Sequence, residues 1–442
     1  MSAFFCMKDK RGNMSDSFER NAAVLQRRWP ALLARVVTED SASLQANLVE
    51  GLGSTLSIAG IQLTSRHDRA HEARLQADNM PDEPVLHVYG CGLGDLQQVL
   101  LERPGLQRLY VHILNGAVFK LVLQLLEQDA WLADPRVELL YAGDLHEIRL
   151  PFFALPAELV LADDYNAKIR DRLISETHLE FNNRSFNFDT TSINERLAAV
   201  EPWVACDRDV AQLFDTCTGQ EVFVIATGPS LERHFPALRA LAGQARRPLL
   251  ICVDTAYQPL LRQGIRPDLV LSIDQRISSR HLPSLGSEGT ALVYLPLADP
   301  QVLEGWRGPR YVGYSTSPLF QQLRQRLPRA LLHAGGSVIH PAVDLAVKMG
   351  GKRVTLFGAD FAFPMNRTHA GWQDGDLGPQ LGAARHWVLD GHGRRVKTQL
   401  NFRSYLCELE RYIGSQPEVA FFNTSRDGAM IAGTTFHADF VQ

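Results

Sequence analysis

Between residues 221 and 357 short apolar runs recur, and most end abruptly on a polar residue. Val222-Phe-Val-Ile225 is apolar throughout, the pattern of a strand covered on both faces, and it breaks into Thr227-Gly-Pro-Ser230. Similar runs at 249–253, 269–273, 291–295 and 353–357, with helical spacing between several of them, predict a parallel sheet. Upstream, Phe18, Leu25, Trp29, Leu32 and Leu33 share one helical face. Ser54 to Leu63 alternates like a hairpin turning at Ala59-Gly60. After a polar boundary at 76–84, strand 85–89, the glycine turn Gly90-Cys-Gly-Leu-Gly94, a helix over 95–101, strand 109–114, a helix over 116–128 and strand 137–141 repeat the alternation. A strand, a loop and helices over 148–203 link the two lobes. The pattern predicts an α/β chain with two Rossmann-like parallel-sheet domains in tandem. A helical and hairpin segment covers 1–75, an accessory domain 76–203, and a second domain, the candidate for catalysis, 204–442.

The second domain carries the more informative strand ends. They finish on Thr227-Gly-Pro-Ser230, Asp254-Thr255, Asp274-Gln275 and Gly358-Ala-Asp360. In a parallel sheet these ends share one edge, where ligands bind. Gly228 permits a tight turn, Pro229 suits a first helical position, and Ser230 sets a hydroxyl beside the N–H groups of the helix that follows, a pattern suited to an anion. Gly335-Gly336-Ser337 precedes another helix and offers a second site of this kind. In the loop after Asp360, His369 reads either as a solvated residue or as a phosphate donor and proton relay.

The first domain's glycine turn suggests a dinucleotide or methyl-donor site, but the second strand ends on Asn115 where such sites need an acid for the ribose hydroxyls. A structural turn is the simpler reading.

Composition narrows the classes. A formal charge of −4 gives no broad basic field for nucleic acid. No apolar run reaches the roughly 18 residues that cross a bilayer, and Met1 to Met14 does not read as a signal peptide, with Met14 an alternative start followed by Ser15-Asp16-Ser17 as a helix cap. The six cysteines, with no CxxC pair, read as reduced thiols, Cys91 and Cys252 as small core residues.

Ile225-Ala-Thr-Gly-Pro-Ser-Leu231, Gly335-Gly-Ser-Val338, Leu356-Phe-Gly-Ala-Asp-Phe361, Thr368-His-Ala370 and Asn423-Thr-Ser-Arg-Asp-Gly-Ala429 together resemble the motility accessory factor family, which has an MptE-like Rossmann domain. Gly90–Gly94 and Asp134-Pro-Arg-Val137 extend the resemblance to residues 20–435. It implies a cytoplasmic glycosyltransferase that moves a nonulosonic acid of the sialic, pseudaminic or legionaminic type from a CMP-sugar onto Ser or Thr of flagellin, with inversion. The catalytic domain of that family is similar to bacterial sialyltransferases that use CMP-sialic acid. By that resemblance Thr227, Gly228, Pro229, Ser230, Asp254, Asp274, Gly336 and Ser337 hold the donor.

The base is left open between His369, His392 and Asp360, with Arg367 a further donor to the phosphate. His392, in Asp390-Gly-His-Gly393, reads equally as a hairpin turn. A CMP donor has one phosphate, so no cofactor is required and magnesium is not expected; Asp374-Gly-Asp376 reads as turn chemistry. The partners implied are flagellin and the CMP-nonulosonate, with neither nucleic acid nor membrane. The alternatives are a pterin pyrophosphokinase using ATP and magnesium through Asp254, Asp274 and Asp360, a non-catalytic flagellin-binding assembly factor, and a methyltransferase built on Gly90–Gly94.

Overall fold

The computed structural model describes residues 11–185, 190–241, 244 and 246–440. The readings of Met1–Lys10, Cys6 included, lie outside them. The chain divides into two compact units, residues 1–179 and 180–442.

In the first unit a helix over Arg11–Arg28 carries Leu25 into the core. Ser15-Asp16-Ser17 therefore lies inside this helix and does not cap it. Strands β1 (Ala46–Val49), β2 (Thr55–Ile58) and β3 (Ile61–Gln62) form an antiparallel meander that turns at Ala59-Gly60. Strands β4 (Val85–Tyr89), β5 (Arg108–Ile113), β6 (Val137–Tyr141) and β7 (Phe152–Ala154) make a parallel sheet in the order β6-β5-β4-β7. The helix expected over 116–128 stops at Leu125, and a second short helix covers Asp129–Ala133. Asn115 has a local reason to be asparagine. Its side-chain oxygen caps the helix at Val118 N (3.1 Å) while its amide donates to Leu161 O (2.6 Å).

The second unit is built on nine parallel strands: β8 (Arg208–Asp209), β9 (Glu221–Ile225), β10 (Leu249–Val253), β11 (Leu269–Ser272), β12 (Ala291–Tyr294), β13 (Arg310–Val312), β14 (Arg353–Phe357), and, beyond an antiparallel hairpin of β15 (His386–Leu389) and β16 (Arg395–Thr398), β17 (Ala420–Asn423) and β18 (Thr434–Phe436). Their order is β18-β17-β14-β9-β10-β11-β12-β13-β8. Val222 to Ile225 are fully buried, as a central strand with helices on both faces requires. The helix Ile339–Lys348 lies over β9, β10 and β14. It buries every residue from Ile339 to Ala346, the polar His340 and Asp344 included.

The chain fills one half of the sheet from β9 outward to β13, then returns to place β14 on the opposite side of β9. The strand order thus reverses between β9 and β14, and the crevice at such a reversal is where α/β sheets take ligands. Among the described residues no helix is long and apolar enough to cross a membrane.

Candidate functional site

The four polar strand ends singled out in the sequence belong to neighbouring strands, in the order β14-β9-β10-β11. A cleft opens above them in two chambers that share part of their lining. The inner one, of about 110 Å³, lies at the strand-order reversal, against Thr227, Gly228 and Gly358 to Asp360. The outer one, of about 650 Å³, reaches Asp254, Asp274 and the loop from Asp376 to Pro379. Thr255, Ser337, Val338, His369, Phe402 and Tyr405 wall both. Ligand pockets generally occupy about 300–1,000 Å³, and water in bulk about 30 Å³ per molecule. The outer chamber alone thus has the volume for a nucleotide, and the inner one holds a few waters or a single small group.

The Gly-Pro-Ser turn does not present free donors. Ser230 is buried, and the Asp360 carboxylate accepts its backbone N–H (2.8 Å) and its hydroxyl (2.6 Å). Gly228 N donates to Gly358 O (2.8 Å), Leu231 N to Gly228 O (3.0 Å) and Glu232 N to Pro229 O (3.3 Å). The expectation that Pro229 and Ser230 meet a phosphate is therefore corrected: the chain's own carboxylate occupies the anion's place, and neither residue lines the cleft. Gly228 is glycine because a Cβ there would stand 2.4 Å from Gly358 O and 2.5 Å from an Asp360 oxygen. Gly428, in the 423–429 motif, packs the other side; its Cβ would meet Asp360 Oδ1 at 2.5 Å. Burial pushes the Asp360 carboxyl up to about 6, against the two bonds from Ser230.

Asp254 is likewise buried, and burial raises it to about 7 although Ser272 Oγ (3.0 Å) and Thr255 N (2.8 Å) donate to its oxygens. Burial also works to raise Asp274, but the side chain and backbone N–H of Arg276 outweigh it and hold the carboxyl below its usual range. The three carboxylates thus have three separate sets of partners. Among the described residues no group of three or more His, Cys, Asp or Glu side chains is arranged to hold a metal ion. Asp254 and Asp274 both border the outer chamber, and Asp360 borders the inner one.

His369 stands in the wall shared by both chambers. Burial lowers it to about 4, so the imidazole is neutral at neutral pH, and its Nδ1 is buried without a hydrogen-bond partner. Its loop is tied to the sheet by Ala370 N donating to Thr227 O (2.8 Å). Glu232 ties it again, holding Arg367 with both oxygens and accepting Gly371 N (2.9 Å). Arg367 is thereby turned to Glu232 and is not among the groups lining the cleft. His392 is also placed elsewhere. It sits in the β15–β16 turn, its backbone N–H on Asp390 Oδ1 (2.8 Å) and its ring 3.5 Å from Asp427. Gly336 and Ser337 do line the outer chamber, at the N-terminal end of the helix 339–348.

Sequence reasoning missed the helix Leu400–Gly414, whose Asn401, Phe402 and Tyr405 face the outer chamber. Its amphipathic spacing marks a helix, but only the fold shows that one turn of it reaches the cleft.

The first unit repeats the device of the second. Its strand order reverses between β4 and β7, and the glycine turn after β4 is again closed by a carboxylate from across the reversal. Glu158 Oε1 accepts the N–H groups of Cys91 (2.8 Å) and Gly92, and burial pushes Glu158 up to about 7. A cavity of about 10 Å³ lies beside the turn, the size of a single water. Cys91 and Cys252 are buried and burial raises their thiols, as inert core residues should be.

No curated protein matches the chain. Among solved structures it is similar to a MAf glycosyltransferase from Magnetospirillum magneticum AMB-1, at 17% identity and a TM-score of 0.46, over 96% of this chain and 75% of that one. Residues 200–366 match the family model described as 6-hydroxymethylpterin diphosphokinase MptE-like. The stretch that carries Gly228, Asp254, Asp274, Ser337 and Asp360 is thus the part of the chain that is similar to that family model.

Proposed function

We propose that the chain is a glycosyltransferase that moves a nonulosonic acid from a CMP-sugar onto a Ser or Thr hydroxyl of flagellin in the cytoplasm. The observation that carries this reading is the nucleotide-sized outer chamber at the strand ends, walled by a helix N-terminus on one side and a neutral histidine on the other. The motifs between 225 and 429 supply the substrate class by resemblance. In this reading the nucleotide lies in the outer chamber, with Asp274 and Thr255 towards its sugar hydroxyls and its phosphate at Ser337, where the helix end favours negative charge.

His369 Nδ1 or Nε2 takes the proton of the acceptor hydroxyl. The acceptor oxygen then bonds to the anomeric carbon as the bond from that carbon to the phosphate oxygen breaks. CMP leaves with the electron pair, and the centre inverts in one displacement. Asp360 is a positioning residue, not the base, since its oxygens are engaged by Ser230. Magnesium has no role in these steps.

The test is incubation of the protein with a CMP-nonulosonate and purified flagellin, with and without EDTA. The expected result is CMP release together with a mass gain of one nonulosonate on flagellin, insensitive to EDTA. The description of the MptE-like model favours a second reading, diphosphate transfer from ATP to a hydroxymethylpterin. Magnesium-dependent AMP release with that acceptor, and no CMP release, would replace the first reading with the second. Binding of flagellin with neither reaction would leave an assembly factor.

A further inference from the structure

Phe402 and Tyr405 are aromatic side chains left partly open in a cleft of mixed polar and apolar lining, and both wall the two chambers. Tyr405 is held there from two sides. Gly336, at φ +90°, lets the loop approach so closely that a Cβ would stand 2.7 Å from Tyr405 Cε1. Beneath that loop the buried His340 has Nε2 2.9 Å from Tyr405 O. Its Nδ1 lies against the Ser337 backbone, 3.2 Å from the nitrogen and 2.9 Å from the carbonyl oxygen. One imidazole therefore joins the Ser337 loop to the helix 400–414 and fixes the gap between them. Phe402 stands next to Tyr405 with ring centroids 6.3 Å apart, so the wall presents two ring systems.

A flat apolar surface beside a helix end that favours anions suits a molecule with an aromatic ring at one end and a phosphate at the other. A sugar face can also lie on such rings, so ribose 5-phosphate is the comparison that separates a base from a sugar, and an apolar metabolite has no use for Ser337. We propose that Tyr405, backed by Phe402, is the stacking platform for the heteroaromatic base of a nucleotide in the outer chamber, with Gly336 and His340 as its positioning residues. The proposal deepens the function proposed above and rests on its nucleotide-binding part alone.

The experiment is calorimetric titration of the full chain with CMP and with ribose 5-phosphate, which lacks the base, using wild type, Tyr405→Phe, Tyr405→Ala and Gly336→Ala. Base stacking predicts that Tyr405→Ala weakens CMP by about tenfold to a hundredfold, with ribose 5-phosphate unchanged. Tyr405→Phe should stay within about twofold of wild type. Gly336→Ala, which pushes the ring aside and also strains the Ser337 loop at φ +90°, should weaken CMP at least as much and ribose 5-phosphate as well. Equal weakening of both ligands by Tyr405→Ala, or no weakening of CMP, overturns the platform and leaves the glycosyltransferase reading standing. If CMP does not bind but ATP or AMP does, with the same Tyr405 dependence, the platform holds and the CMP-sugar reading falls. If no nucleotide binds, both fall. The melting temperature of each unliganded variant shows which ones have folded, and Tyr405→Phe remains informative if Tyr405→Ala has not.

Discussion

Asp360 receives both the backbone N–H and the hydroxyl of Ser230, at 2.8 and 2.6 Å, from the far side of the strand-order reversal. A serine that reads as a phosphate contact is a structural partner of a buried carboxylate. Ser230→Ala should therefore destabilise the protein by about 1–3 kcal/mol, because Asp360 loses a donor it cannot replace with water. Urea unfolding measures this. An unchanged midpoint combined with lost nucleotide binding would restore Ser230 to the ligand.

The glycines around that carboxylate should be the least tolerant positions near the cleft. Gly228→Ala sets a methyl against backbone oxygen Gly358 O, and neither strand can retreat without loosening the β9–β14 ladder. The expected cost is at least about 3 kcal/mol. Gly378, where a Cβ would meet nothing within 4 Å, is the control for mere loss of glycine, although its φ of +97° makes it strained rather than crowded.

Acidity offers a separate test in the first unit. Burial raises Glu158 from 4.5 to about 7 in the folded state. The folded protein thus binds this proton more tightly than the unfolded chain. The stabilisation is fully present below the unfolded value near 4.5 and is lost as pH rises through about 7. Glu158→Gln keeps an oxygen for Cys91 and Gly92 without the charge. Relative to this variant, wild type should lose about 3 kcal/mol of local stability between about pH 4 and pH 8. Hydrogen exchange of peptides covering 85–101 reads it, and parallel pH profiles for the two proteins would contradict the burial of a charged Glu158.

Glu232 should matter for the His369 loop more than for the fold. Its pair with Arg367 is partly exposed, the side chains being 31% and 42% accessible, so Glu232→Ala should cost at most about 1 kcal/mol overall. The loop it holds on both flanks of His369 should nonetheless exchange its amides several-fold faster, and transfer should slow with it.

The histidines divide cleanly. His369→Ala should lower turnover by about 10² to 10⁴ if it is the base, while His392→Ala, in an exposed hairpin turn, should leave turnover near wild type. Because burial holds His369 down to about 4, the acid limb of the turnover profile should fall near that value and not near 6.5. Loss in His392→Ala would reverse the assignment.

Much of this arrangement is legible in the order of the amino acids. Val222 to Ile225 can only be a covered strand, and the polar residues that end four such runs mark the edge of the sheet where the cleft opens. The short strands Arg208–Asp209, at the edge of the sheet, and Arg310–Val312 beside it escape notice because they are only two and three residues long. The partners of the glycine turns escape for a different reason. Nothing local distinguishes Glu158 in its short helix from an ordinary surface acid, and the position of Asp360 at a strand end does not show that its partner is Ser230. Their burial is created by strands distant in sequence. Tyr405 is hidden in the same way, as one aromatic among the apolar positions of a helix that reads simply as core.

The pairing of Ser230 with Asp360 spans 130 residues. The turn after β9 therefore cannot reach its working shape while β10 to β13 assemble beside it. It must wait for β14 to dock on the opposite flank, a closure over a long stretch of chain and hence among the slower events of folding. On a ribosome the cleft is consequently completed late, after most of its own sheet, and a nascent chain that has not yet extruded β14 holds the Gly-Pro-Ser sequence without a binding site.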